Sequence, residues 1–141
     1  MKQVHNKADV MAWLVKAQDD LRFAESVLND TFYSHVCFIC QQSAEKALKG
    51  LIYSLQEDFS LAEIRKLKTH NLGLLLKLAK QRGVSIPQDV NEACAILDRY
   101  YMSTRYPDVP DPIGLYTKEI AHEAFAKAKE IFGFVDNLLQ P

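Results

Sequence analysis

The feature that most constrains this chain is the period of its apolar residues. Over five segments they recur every three or four positions, and nowhere do they alternate with polar residues at a period of two. Because about 3.6 residues complete a helical turn, such spacing gathers apolar side chains into one stripe of an amphipathic helix. From about Asp9 to Asn29 the stripe is Trp13, Leu14, Ala17, Leu21, Ala24 and Leu28, with most charges elsewhere on the wheel. Asp9 is placed to cap that helix and the Asn29-Asp30-Thr31 cluster to end it.

A second helix is predicted from about Ser34 to Glu57, with Val36, Cys40, Ala44, Ala47, Leu48, Leu51 and Leu55 on its apolar side. Beside them run Gln42, Glu45, Lys46 and Lys49, which either line a crevice or face water. Gly50 lowers helix propensity by roughly 1 kcal/mol relative to Ala, a cost that suits a close helix crossing. Residues 58–68 read as a connector with room for one helical turn at Leu61–Ile64. Thr69 or Asn71 then caps a third helix, Leu72 to Gln81, and Gly83 ends it in a left-handed conformation. Pro87 suits the first turn of a fourth helix, in which Val90, Cys94, Leu97 and Tyr101 share a face. That helix stops near Tyr106, since Pro107 disfavours helical geometry in the residue before it. After a proline-rich loop at 107–112, a fifth helix runs from about Thr117 to Leu139. The fold expected is all-α: an antiparallel, up-and-down bundle of four long helices plus a short one, forming a single domain over residues 1–141.

Composition narrows the function. Lysine and arginine number 17 against 18 aspartates and glutamates, a formal net charge of -1, and this argues against non-specific coating of DNA. No apolar run approaches the roughly 20 residues that span a bilayer, and the first residues lack a signal-peptide stretch, so the expectation is a cytoplasmic protein without a membrane partner. Cys37, Cys40 and Cys94 suit a reducing compartment and read as small buried hydrophobes. Neither a zinc ligand set nor a glycine-rich phosphate loop can be assembled, and no cofactor is expected.

The chemistry concentrates at the end of the fourth helix. Asp98, Tyr101 and Arg105 follow i, i+3, i+7 spacing and so share one helical face, just before Tyr106 and Asp108. A guanidinium engages two phosphate oxygens together, and aromatic neighbours stack on bases. A plainer reading stands beside this one: a cation in a last helical turn is favoured by the helix dipole, and Arg105 has Asp98 and Asp108 to pair with. A second basic region, with Arg65, Lys66, Lys68, His70, Lys77, Lys80 and Arg82, lies in a stretch from Ile64 to Ile86 without an acidic residue. It reads either as an anion-attracting patch or as a solvated surface.

Three motifs carry a resemblance. Gln42-Ser43-Ala44-Glu45-Lys46-Ala47-Leu48-Lys49, Thr69-His70-Asn71-Leu72 and Arg105-Tyr106-Pro107-Asp108 resemble, in order, signatures of the HEPN domain family. The resemblance implies a helical bundle that is commonly a homodimer and often the partner of a minimal nucleotidyltransferase. It points to a nucleotide or phosphate site drawn from Arg105, Tyr101, Asp98, Tyr106, Asp108, Gln42, Glu45 and Lys49. Other members are metal-independent ribonucleases, frequently toxins of toxin–antitoxin pairs, in which a histidine follows the arginine of the fourth helix. Here Arg105 is followed by Tyr106, Pro107, Asp108, Val109, Pro110 and Asp111, with no histidine before His122. Aspartate, with an ordinary pKa of about 3.9, is a poor base in that role. The expectation is therefore a nucleotide-binding module that is not an enzyme on its own, with a divergent ribonuclease as the alternative. The Arg65/His70 pair, though similarly spaced, reads as coincidence because it precedes the third helix.

Overall fold

Each of the five periodic segments forms helix in the computed structural model of the chain, which describes residues 2–4, 7–55, 58–103 and 116–140. Three helices are long: α1 (Lys7–Ser26), α2 (Tyr33–Ser54) and α7 (Lys118–Leu139). Between α2 and α7 come α3 (Leu61–Leu67), α4 (Leu72–Gln81), α5 (Gln88–Asp98) and α6 (Tyr100–Ser103). The result is the expected all-α bundle, with α5 and α6 together supplying the fourth long member.

Helix α2 is the axis of the molecule. It packs against α1, α4, α5, α6 and α7, while α7 also covers α1 and α5. Accordingly α2 is buried on more than its apolar stripe: Gln41, Ser43, Glu45 and Lys49 are also buried. The Ser43 hydroxyl donates to the carbonyl of Ala17 at 2.7 Å, so this polar group is satisfied inside the α1–α2 seam. The seam is tightest at Gly50, where a Cβ would lie 3.0 Å from Trp13 Cβ. Trp13 stacks on Tyr53 with ring centroids 5.8 Å apart, closing the seam from outside.

Helix ends follow from local chemistry. The Asn71 side chain accepts from Leu74 N–H at 2.9 Å and the Thr117 hydroxyl from Ile120 N–H at 3.2 Å, capping α4 and α7. Gly83, at φ 93°, closes α4 in the left-handed region. Pro87 is the N-cap of α5 rather than part of its first turn.

Besides Pro87, the structure departs from expectation in four places. Helix α1 begins at Lys7, leaving Asp9 inside its first turn rather than at the cap. The connector helix α3 runs on to Leu67, nucleated by a reciprocal capping box between Ser60 and Glu63. The fourth helix is interrupted at Arg99, where the N–H bonds back to the carbonyls of Ile96 and Leu97. Tyr100 then takes the core position that an unbroken helix assigns to Tyr101, and it meets Tyr116 edge-on. Finally, β1 (Lys2–Val4) and β2 (Asp58–Ser60) pair antiparallel, Gln3 opposite Phe59. A three-residue pairing satisfies backbone groups of two connecting segments far apart in sequence, and no local alternation announces it.

All three cysteines are buried in the core, as read, and none forms a disulfide. Burial pushes the Cys40 thiol far up and that of Cys94 up to about 12, with Asp98 adding to the latter. Among the described residues no helix is long and apolar enough to cross a membrane.

Candidate functional site

The start of α4 is fixed by an aspartate from another helix. Asp98, the last residue of α5, accepts from Leu72 N–H at 2.7 Å through one oxygen and from Gly73 N–H at 3.0 Å through the other. With Asn71 accepting from Leu74 N–H, the α4 N-terminus has its donors satisfied within the protein. Burial pushes the Asp98 carboxyl above its ordinary range; the Leu72 and Gly73 hydrogen bonds pull it partly back, and the Glu45 charge raises it again. Expected on a ligand-facing stripe with Tyr101, Asp98 instead serves as a cap that joins α5 to α4, because both of its oxygens are taken by backbone.

That cap holds His70, two residues before α4, against α2. The Gln41 amide donates to the His70 carbonyl at 2.8 Å, and Gln42 donates in turn to the Gln41 carbonyl oxygen at 2.7 Å. The His70 ring lies with Nδ1 2.9 Å from Glu45 Oε1, while Glu45 Oε2 accepts from Lys49 Nζ at 3.0 Å. Glu45 and Lys49 are 5% and 7% exposed, so this ion pair is in the protein interior, whereas the His70 side chain is 48% exposed. Lys49 also sits 5.9 Å from the Trp13 ring centroid, a cation–π contact at the α1 side.

One face of the imidazole is covered. Tyr101 stacks on it at a centroid distance of 4.4 Å and an interplanar angle of 15°, and Phe38 lies tilted beyond, 6.1 Å from Tyr101. Tyr101 therefore stacks against His70, and the outer face of His70 is the aromatic surface turned to solvent. Arg105, Tyr106 and Asp108 lie outside the described residues, as does the proline-rich loop that follows them.

Of the residues expected at a site, the structure brings Gln42, Glu45, Lys49, Asp98 and Tyr101 into one network. Its centre is a residue not among them. His70 is present in the Thr-His motif, but that motif reads as the start of a helix, and nothing local says that its ring meets Glu45. Gln41 is likewise visible only as a neighbour of Gln42. In the basic region Arg82 is paired with Glu63, and Lys80, still charged, donates to the Asn91 amide oxygen at 3.1 Å. Arg65, Lys66, Lys68 and Lys77 are exposed or half-exposed.

A family profile for the HEPN domain matches residues 10–138. Among solved structures, the chain is similar to TT1696 from Thermus thermophilus, with 35% identity, a TM-score of 0.75, and coverage of 91% of this chain and 96% of that one. It is also similar to ST0689, described as an archaeal HEPN homologue, with 29% identity, a TM-score of 0.68, and coverage of 93% and 98%. No curated protein matches the chain at significant similarity.

Proposed function

Because the chain belongs to the HEPN domain family, we propose that it is a nucleotide-binding helical module serving a minimal nucleotidyltransferase partner. The observation that carries this reading is the His70–Tyr101 stack, anchored from beneath by the buried Glu45–Lys49 pair. Placing a carboxylate and an ammonium together in a core is costly unless both are paired. Here the pair also fixes the orientation of a half-exposed imidazole beside the segment that leads to Arg105. A fixed aromatic surface suits the ring of a ligand, and Arg105, four positions after Tyr101 in the sequence, offers a guanidinium for a phosphate. The module acts as a homodimer in this reading, which sedimentation of the purified chain checks.

The test is thermal stabilisation by nucleotides, since a ligand that binds only the folded state raises the melting temperature. Nucleotide at 100 times its Kd is expected to add about 2.7 kcal/mol of stability. Arg105→Ala should remove the shift and His70→Ala should lessen it, each leaving the ligand-free melting temperature within a few degrees. No stabilisation by any common nucleotide, with or without the partner enzyme, would sink the proposal.

A second reading is favoured by one observation. The histidine missing after Arg105 has a candidate replacement in His70, which contacts Tyr101 four residues before that arginine. A divergent ribonuclease using His70 as base and Arg105 on the phosphate would cleave RNA in the presence of chelator. Cleavage lost in both His70→Ala and Arg105→Ala would support it, and RNA intact after long incubation would exclude it.

A further inference from the structure

We infer that the His70 edge of the site takes a hydrogen-bond donor of the ligand, a ribose hydroxyl, and not an anionic oxygen; the inference rests on the nucleotide-binding reading above. The argument begins with the proton on the ring. A carboxylate accepts hydrogen bonds and has none to give, so Nδ1, 2.9 Å from Glu45 Oε1, carries the hydrogen. A neutral imidazole has one N–H only, so Nε2 is then a bare lone pair. Among the described residues Nε2 makes no hydrogen bond, and the side chain is 48% exposed. The free edge of neutral His70 is thus an acceptor, which attracts a hydroxyl and repels a phosphate oxygen.

None of the other groups facing the ring among the described residues occupies that edge. On α2, the Glu45 carboxylate also accepts from Lys49 Nζ at 3.0 Å, and Gln41, from the same helix, directs its amide to the His70 carbonyl. On α5, Asp98 directs both oxygens to the backbone of α4. On α6, Tyr101 meets the ring through its face rather than through a charge. The α4 N-terminus, which would otherwise attract an anion to this corner, is occupied by Asp98 and Asn71. Phosphate recognition therefore falls to groups other than His70, and sugar recognition to His70.

Two measurements on the full chain test this. Long-range nitrogen NMR of the ligand-free protein at pH 8 should find the His70 hydrogen on Nδ1; a hydrogen on Nε2 overturns the inference without any ligand. The second measurement is calorimetric binding of the ribodinucleotide ApA and its 2′- and 3′-deoxy counterparts at pH 8. One deoxy counterpart is expected to bind about two- to tenfold more weakly than ApA. His70→Ala should bind ApA as weakly as wild type binds that counterpart. Glu45→Gln lets an amide donate to Nδ1 and should erase the preference for the hydroxyl; if that variant does not fold, the His70→Ala comparison decides alone. Equal affinity for all three ligands overturns the inference but leaves nucleotide binding standing. No binding of ApA or of any nucleotide overturns both.

Discussion

Glu45 and Lys49 sit one helical turn apart on the most buried helix of the molecule, and their energetics differ from those of a surface pair. Desolvating two ions costs several kcal/mol each, and their mutual attraction offsets this only while both are present. Glu45→Ala strands the Lys49 ammonium and releases His70, and it is expected to destabilise the fold by about 3–5 kcal/mol in urea unfolding. The paired replacement Glu45→Leu with Lys49→Met removes both charges and should cost much less than the sum of the single changes. If the double variant is as damaged as the sum, the two residues do not act as a pair. The same residues mark the limit of reading a site from sequence. Glu45, Lys49 and Tyr101 stand out by motif and spacing, but the hydrogen bond from His70 to Glu45 spans 25 positions, and neither it nor the stack on Tyr101 has a local signature. Several members of the network are legible by type; the place of His70 in it, and every orientation, are not.

At the scale of helices, two contacts are decisive. A methyl group at Gly50 would meet Trp13 Cβ at 3.0 Å, an atom fixed to the α1 backbone, so relief requires α1 to move. Gly50→Ala should therefore destabilise the protein by about 1–3 kcal/mol. An exposed helical glycine would instead gain roughly 1 kcal/mol from the same change. The other contact is the cap that Asp98 supplies to α4. Asp98→Ala frees two backbone donors at once and is expected to cost about 1–2 kcal/mol, read as a lowered urea midpoint. Sequence patterning located every major helix, Asn71 as one of two candidate caps for α4, the left-handed Gly83 and the close crossing at Gly50, because each depends on a residue type and its immediate neighbours. It missed the break at Arg99 and the β1–β2 pairing, which depend on distant partners. The full extent of α3 was legible in principle, since Ser60 and Glu63 have capping-box spacing, but apolar periodicity alone did not reveal it.

The whole molecule hides groups that ionise in alkali. The Cys94 thiol is pushed from 9.0 up to about 12 and the Tyr100 phenol from 10.0 up to about 12, chiefly by burial. Both folded values lie above the unfolded ones, so the stability they contribute is fully present below about pH 9. It is lost as pH rises through 12, because only the unfolded chain ionises in that interval. The urea midpoint should fall steadily from pH 9 upward, and Tyr100→Phe should flatten the fall; an unchanged slope would mean that the phenol is not held neutral. The central place of α2 has a further consequence for how this protein breathes. Five helices rest on α2, so none of them can detach without exposing part of it. Its backbone amides between Ala44 and Leu51 should therefore exchange with solvent deuterium only through global opening, at a common rate set by the full unfolding free energy. Amides at the start of α3 and the end of α7 should exchange by local fraying, long before the axis of the bundle is ever exposed to water.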